Sequence, residues 1–299
     1  MATIVLTGAG GGFGKLTALA LRQAGHTVFG TLRDVTGRNA GVAAELTTAG
    51  VHPIEMDVTS DASVDAAVAQ LLARAGQVDV VINNAGVGVL GVQETFTAAD
   101  LQRLFDVNVF GAHRVTRALL PQLRRQGRGL VLFVSSLLGR ITVPYYGPYN
   151  ASKWAVEALA ENYSTELAGA GIDVGVVEPG GYPTTFMNNL VRPSDQARID
   201  ALTDQSAAAQ QFLEGFEHAL AANPAQDPRH VADAMVQLVE AEPGTRPFRT
   251  VVDAMGMGAA LEPYNAQLHT VTRGIYSAFG IDGLLARRGA DALTATAAA

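Results

Sequence analysis

The feature that most restricts the fold of this chain is an alternation. Short, unbroken apolar runs are separated by longer stretches of helical periodicity. The runs are Thr3–Leu6, Thr27–Leu32, His52–Met56, Val78–Ile82, Gly129–Val134 and Asp173–Val177, and the helical patterns fill 14–24, 61–75, 98–126 and 149–169. Strands that read as continuous apolar runs are covered on both faces. Strands that alternate with helices form parallel sheets, because a parallel neighbour needs a long right-handed crossover. The expected fold is α/β, a doubly wound parallel sheet with ligands at the carboxyl ends of its strands. At 299 residues, 48% hydrophobic and 16% charged, the chain has ample core material for one such domain.

The rhythm breaks after Pro179-Gly180. From Gly181 to about Asp227 the pattern is helical without a strand, and Ser206–Ala222 is amphipathic with Phe212 and Phe216 at i, i+4. An insertion at about 181–227 is expected to cover the strand ends as a helical substrate lid. The plainer alternative is a helix pair packed on the sheet edge. Pro224 and Pro228 mark a boundary, after which a helix at 229–241 and a strand Phe248–Val252 complete a domain over 1–256. Residues 257–299 read as a C-terminal helical extension, amphipathic over Asn265–Ala278, with a frayed end at Ala290–Ala299.

Bulk properties exclude several classes of function. The net charge is −7 and the basic residues are scattered, so no nucleic-acid stripe exists. No apolar run reaches the roughly 18 residues of a membrane span. The chain enters Thr3-Ile4-Val5-Leu6 without a basic leader, which points to the cytoplasm. It has no cysteine, hence no disulfide and no thiolate chemistry. Its six histidines, among them His113, His218 and His230, show no ligand-spaced pair, so no metal is expected.

After the first run comes Thr7-Gly8-Ala9-Gly10-Gly11-Gly12-Phe13-Gly14 and then a helix. A strand, a glycine turn and a helix N-terminus make an anion site, because backbone N–H groups point outward and the helix dipole favours a diphosphate. The spacing Gly8-x-x-x-Gly12-x-Gly14 is not G-x-G-x-x-G. By itself the loop also reads as a tight turn.

Tyr149 and Lys153 lie four apart in Tyr149-Asn150-Ala151-Ser152-Lys153, so they share one helix face. A free phenol has a pKa near ~10, and moving it to ~7 takes roughly 4 kcal/mol. One ammonium about 4 Å away supplies that order of energy at an effective dielectric near ~20. On this arithmetic Lys153 alone makes Tyr149 a competent general acid/base. Ser136, just past the strand Gly129–Val134, is placed to hold a carbonyl oxygen. A lone Tyr-x-x-x-Lys also occurs by chance on many helices; Ser136 and the glycine loop in the same chain weigh against chance.

Taken together, Thr7-Gly8-x-x-x-Gly12-x-Gly14, Asp57-Val58, Asn84-Ala85-Gly86, Asn108, Ser136, Tyr149-x-x-x-Lys153 and Pro179-Gly180 resemble the short-chain dehydrogenase/reductase family, in family order. The resemblance implies a Rossmann-like fold and a nicotinamide dinucleotide. It implies that Gly8, Gly12, Phe13 and Gly14 hold the diphosphate. Asp57 and Val58 would sit at the adenine, and Asn84, Ala85 and Gly86 would line the adenosine side. Asn108 would complete a tetrad with Ser136, Tyr149 and Lys153, and Thr184 beyond Pro179 and Gly180 would meet the nicotinamide carboxamide. Tyr149 and Lys153 would also touch the cofactor. Asp57 as a helix cap and Asn84-Ala85-Gly86 as a plain strand end are the alternatives. Asn108 inside a helix is locally unfavourable, which favours a polar task. Tyr182-Pro183, between Gly180 and Thr184, departs from the family pattern.

NAD-specific relatives end the second strand with an acid that binds the ribose diol. Here Leu32 stands at that position and Arg33 follows, suited to a 2′-phosphate. NADP(H) is therefore expected over NAD(H), although Asp34 is placed to neutralise Arg33. Val87–Leu90, Leu137, Leu138, Val143, Tyr146, Tyr182, Met187 and the 190–217 helices would form apolar pocket walls. The expected activity is interconversion of a hydrophobic ketone or aldehyde and its alcohol, nearest in motif to 17β-hydroxysteroid and retinol dehydrogenase relatives. A dinucleotide-binding redox sensor or scaffold is the alternative, though such proteins usually lack the Tyr and Lys kept here. The resemblance also implies a homodimer or homotetramer through helices 98–126 and 149–169, with Phe105, Phe110 and Trp154 as contacts unless they face the core.

Overall fold

The computed structural model describes residues 1–187 and 190–285 and the backbone of 294–296. One parallel sheet has seven main strands and a short eighth at its edge; the seven are β1 (Thr3–Thr7), β2 (Thr27–Leu32), β3 (His52–Glu55), β4 (Val80–Asn83), β5 (Gly129–Val134), β6 (Ile172–Pro179) and β7 (Arg249–Val252). Their order is β3-β2-β1-β4-β5-β6-β7. The order reverses between β1 and β4, where Ile4, Val5 and Leu6 pair with Val80, Val81 and Ile82. Crevices at such a switch point receive ligands in doubly wound sheets.

Each strand feeds two core layers, because successive side chains point to opposite faces. Val5, Val81, Val131 and Phe133 face one layer, which holds Val64 and Leu71 of α3 (Asp61–Ala75), Val115 and Leu119 of α5 (Gly111–Gln126) and Val156 of α6 (Gly147–Glu166). Ile4, Leu6, Ile82 and Leu132 face the other, with Leu21 of α1 (Gly12–Gln23), Leu46 of α2 (Ala40–Thr48) and Met235 of α9 (Arg229–Glu240). This two-sided burial is why the strand sequences show no polar alternation.

Several elements differ from their expected outlines. Helix α2 has no counterpart in the sequence reading, since Gly41 and the Thr47-Thr48 end weaken its helical signal. The stretch 98–126 is helical but not uniform. It comprises α4 (Ala98–Phe105), a π turn at Asp106–Phe110 and α5. Helix α6 starts at Gly147, with Pro148 in its first turn, where a missing N–H costs nothing.

The insertion after β6 holds α7 (Gln196–Ala201) and α8 (Thr203–Ala221). Phe212 of α8 packs tilted against Tyr145 and edge-on to Tyr146, at 5.8 and 6.2 Å between ring centres. Phe216 packs on Gly181, where a Cβ would lie 2.2 Å from the ring. The tail contains α10 (Leu261–Ala278). Within the stretch expected to fray, Thr294–Thr296 forms β8, a parallel edge strand on β7; its remaining residues lie outside the described ones. Two β-branched threonines and the otherwise open edge of β7 favour that pairing. No helix of the described residues is long and apolar enough to cross a membrane. Phe110 and Trp154 are exposed, while Phe105 is partly buried against Phe110.

Candidate active site

The residues singled out from sequence gather at the carboxyl ends of the strands: the glycine loop after β1, Arg33 after β2, Asp57 after β3, Asn84 after β4, Ser136 after β5 and Pro179 at the end of β6. The loop is shaped for close approach. Gly8 and Gly12 have φ of 73° and 50°, and a Cβ on Gly14 would lie 2.1 Å from the Gly8 carbonyl oxygen. Gly11 caps α1 without any side-chain bond, which leaves the first-turn N–H groups of the helix pointing at the loop. Asn84 locks this loop to β4, its Nδ2 donating to the carbonyls of Thr7 and Gly8 at 2.9 and 3.3 Å. The backbone N–H groups of Asn84 and Ala85 both donate to Thr7 Oγ1 at 3.0 Å. The Asn84 side chain is thus engaged by the loop it supports.

Phe13 turns its ring inward, edge-on to Tyr182 at 5.5 Å. Tyr182, expected in the pocket wall, belongs instead to the core layer of Leu6 and Leu132. Leu137, also expected there, packs with Val251 and Leu261. Both thus lie outside the apolar cluster that contains Tyr149. The other anticipated wall residues, Val87, Val89, Leu90, Leu138, Val143, Tyr146 and Met187, do cluster around Tyr149, together with Phe186, Leu190 and Leu213.

At the end of β2, Leu32 is buried and its Cβ lies 3.8 Å from where a Cβ on Gly10 would be. Arg33 is exposed and forms no ion pair among the described residues. Asp34 forms no ion pair with it among the described residues; its Oδ2 accepts the Arg38 amide at 3.0 Å, and Asp34 has a positive φ of 52°. Asp57 accepts the amide and hydroxyl of Thr59 at 2.9 and 2.8 Å. Burial raises its pKa, but these bonds and the charge of Arg33 leave it lowered. The cap of α3 is Ser60, not Asp57. Val58 packs against Gly111, and its carbonyl accepts from Arg114.

Tyr149 and Lys153 share one face of α6, as their spacing requires, and both are buried. The Lys153 ammonium lies 5.5 Å from the centre of the Tyr149 ring and donates to the Val134 carbonyl at 2.8 Å. Burial lowers its pKa to about 8, against the opposing charge of Glu157. Burial pushes the Tyr149 phenol well above the usual tyrosine range, and the Ser136 hydroxyl beside it only partly offsets this. This corrects the expectation that Lys153 by itself brings the phenol near neutrality: removal from water is the dominant effect here. Ser136 accepts the Leu138 amide at 3.2 Å and donates to the Pro179 carbonyl at 3.4 Å.

Asn108 lies in the π turn and is buried there. Its Oδ1 accepts the Val87 amide at 2.8 Å, and its Nδ2 donates to the Val87 carbonyl and to Ser152 at 2.9 and 3.0 Å. Ser152 in turn donates to the Tyr149 carbonyl at 2.8 Å. Asn108 therefore ties Val87, the residue after Asn84-Ala85-Gly86, to α6. A Cβ on Gly86 would lie 3.4 Å from Asn108 Oδ1 and 3.7 Å from Lys153 Nζ.

Thr184 and Thr185 fold over the glycine loop, with Thr185 Oγ1 3.3 Å from a Cβ position on Gly11. Gly180 is fixed by its amide donating to the Val252 carbonyl at 2.8 Å. Phe186 stands against Tyr149 at 5.7 Å between ring centres. Neither Thr185 nor Phe186 was singled out from sequence, and no local pattern marks them.

A Gly-lined cradle beside an uncapped helix end, with a Tyr–Lys pair opposite, defines a class of protein that comparison with known proteins makes specific. A model of the short chain dehydrogenase family matches residues 2–195. The chain is 34% identical over 254 residues to a 3-ketodihydrosphingosine reductase of Bacteroides thetaiotaomicron, covering 83% of this chain and 87% of that one. It is also 34% identical over 258 residues to the mouse 17-beta-hydroxysteroid dehydrogenase type 1, covering 83% and 73%. A short-chain dehydrogenase structure from Streptomyces avermitilis superposes with a TM-score of 0.73 at 31% identity, covering 93% of this chain and 97% of that one. The chain belongs to the short-chain dehydrogenase/reductase family and is an NAD(P)-dependent oxidoreductase.

Proposed function

We propose that this protein reduces a hydrophobic ketone or aldehyde to its alcohol, with NADPH as preferred cofactor and Tyr149 as the proton donor. The observation that carries the reading is the meeting of the Ser136 and Tyr149 hydroxyls at the end of β5, with the Lys153 ammonium behind the phenol. The reduced nicotinamide, when bound, supplies a hydride to the carbonyl carbon. Ser136 and Tyr149 hold the carbonyl oxygen, and Tyr149 gives its proton to the oxygen as negative charge develops there. Lys153 stabilises the tyrosinate left behind. A phenol kept protonated by burial is in the form a general acid needs, which favours the reductive direction.

The residues present fit a dinucleotide. The space that a Cβ on Gly14 would fill, and the uncapped start of α1, suit a diphosphate. Gly8, Gly12, Phe13 and Gly14 would bind it through their backbone. Asp57, Val58, Ala85 and Gly86 would line the adenosine side, and Pro179, Gly180 and Thr184 the nicotinamide side. Asn108 would hold the strand ends in register with α6. Exposed Arg33, beside buried Leu32, favours a 2′-phosphate over a ribose diol.

The apolar cluster around Tyr149 and the α8 face bearing Phe212 support a hydrophobic substrate and a covering role for 181–227. The two relatives point the same way, one name carrying a keto group and the other a hydroxysteroid. Exposed Phe110 and Trp154 support a second copy packed along α5 and α6, which sedimentation would detect. The deciding experiment follows NADPH oxidation over a panel of ketones, aldehydes and quinones, with Tyr149→Phe as control. Turnover abolished by that substitution is the expected result. No turnover with any carbonyl would move the protein to a dinucleotide-binding role without catalysis.

A further inference from the structure

One face of α6 carries Tyr149, Lys153 and Glu157 at successive four-residue steps, and three consecutive residues at the end of β5 meet them. Ser136 faces Tyr149, the Val134 carbonyl accepts from Lys153, and Ser135 faces Glu157. The third pairing needs a glycine beside it. A Cβ on Gly139 would lie 2.5 Å from Ser135 Oγ and 3.0 Å from Glu157 Oε1. Glu157 is 1% exposed.

Behind Glu157 stands a buried ionic cluster. Arg140, from the loop after β5, and Arg249, from β7, reach Glu157 Oε2 at 3.3 and 3.2 Å. The same two guanidinium groups lie 3.6 Å from Glu178 of β6, and both pair with Glu161, the next residue on the α6 face. Asn265 of α10 donates to Glu178 at 3.4 Å. Two arginines thus face three carboxyls, and Lys153 is the cation that would balance the third. An uncompensated buried charge is costly, so one proton is shared among Lys153, Glu157 and Glu178. Burial, the largest cause, and Glu178 push the Glu157 carboxyl well above the usual carboxylate range, and Arg140 and Ser135 offset only part of this.

We propose that Glu157 is a positioning residue acting through Lys153: one turn further along α6 and clamped by Arg140 and Arg249, it shares a proton with Lys153, and its ionised form is the buried counter-charge whenever Lys153 stands as an ammonium beside the Tyr149 phenol. This rests on the reading of Tyr149 and Lys153 as the proton-handling pair. A merely structural cluster would tie β6, β7, α6 and α10 together without governing the lysine.

The composition allows a direct test, because Lys15 and Lys153 are the two lysines of the chain. In Lys15→Arg protein carrying isotope-labelled lysine, a single side-chain NMR signal reports the titration of Lys153 without any turnover. Adding Glu157→Gln is expected to lower its midpoint by about one pH unit or more. Glu161→Gln, which deprives the same arginines of a partner two turns from Lys153, is expected to move it far less. If Glu157→Gln does not fold, Glu157→Asp keeps the charge but draws it back, and a smaller fall is expected. In kinetics, the high-pH limb of kcat/KM for carbonyl reduction should move down with the midpoint while the low-pH rate holds. Undiminished turnover in Tyr149→Phe would remove the catalytic reading yet leave the lysine titration readable. An unmoved midpoint in the Glu157 variants, or an equal fall in Glu161→Gln, overturns the proposal.

Discussion

Lys153 approaches Tyr149 from below, its ammonium 5.5 Å from the ring centre and tied to the Val134 carbonyl at 2.8 Å. The lysine is anchored by the strand rather than bonded to the phenol. Burial, rather than the lysine, governs the phenol and holds it in its protonated form.

Tyr149→Phe removes only a hydroxyl from a ring already packed by Phe186 and Tyr146. The fold and the glycine cradle should persist. Turnover is expected to fall at least 10²-fold, the usual scale of one general acid. Cofactor affinity, read by nucleotide fluorescence titration, should change little. A residual rate within a few fold of the parent would assign the proton to another group.

Lys153 also leaves a signature in stability. Its pKa falls from the ordinary 10.5 to about 8 because it is buried. Below pH 8 both folded and unfolded chains hold the proton, and burying the charge costs the fold about 3 kcal/mol. Between pH 8 and 10.5 the unfolded chain still holds a proton that the folded one has released, so this cost disappears as pH rises. Denaturant melts of the ligand-free protein should show the parent gaining on Lys153→Met across that window. Parallel curves would contradict a buried, titrating ammonium.

How far these features could be read from residues differs by feature. Strand positions were legible because Ile4, Val5 and Leu6 are all buried, on two faces, and leave an unbroken apolar run. The Tyr149–Lys153 pairing was legible because helix geometry alone brings i and i+4 together. The π turn at Asp106–Phe110 was not, since one widened turn leaves the periodicity of α4 and α5 nearly intact. Nor was the Arg140–Glu157–Glu178–Arg249 cluster, whose members come from four elements joined only by the fold. The rise in the Tyr149 pKa was missed because pairwise charge arithmetic omits desolvation. The walls wrongly expected from Leu137 and Tyr182 depend on which way a chain turns on leaving its strand, which spacing does not encode.

Leu32 and Arg33 set the cofactor expectation. Leu32→Asp places a carboxylate beside Gly10, where it repels a 2′-phosphate and can accept bonds from a ribose diol. The parent should favour NADPH in kcat/KM, and the variant should shift the ratio toward NADH by about tenfold or more, the effect of roughly 1.4 kcal/mol. A parent that prefers NADH would refute the reading of Arg33.

Gly14 tests the cradle without touching the chemistry. An alanine there would place its Cβ 2.1 Å from the Gly8 carbonyl and 2.6 Å from Asn84 Nδ2, so the loop must move. Gly14→Ala should weaken nucleotide binding by about tenfold or more, measured by calorimetry, while Lys153 titrates as in the parent. Unchanged affinity would place the diphosphate elsewhere.

Asp100 links the cap of α4 to the start of the inserted helices. Its Oδ2 accepts from the amide and hydroxyl of Thr97 at 2.8 and 2.9 Å, and from the hydroxyl and amide of Ser194 at 2.8 and 3.2 Å. Burial alone would raise its pKa, but these four bonds outweigh burial and lower it to about 2. A carboxylate with a depressed folded pKa contributes stability that is full above its unfolded value and is lost as pH falls through the folded one. The window here runs from about 4 down to 2, and the contribution is about 2 kcal/mol. Asp100→Asn turns one acceptor into a donor facing Thr97 and Ser194, so it should lower stability by about that amount at pH 7 and by progressively less as the pH falls toward 2. Limited proteolysis near Ser194 should quicken in the variant, because the segment entering α7 loses its tie to α4. A stability difference that stays constant between pH 7 and pH 2 would show that the carboxylate is not what holds the two segments together.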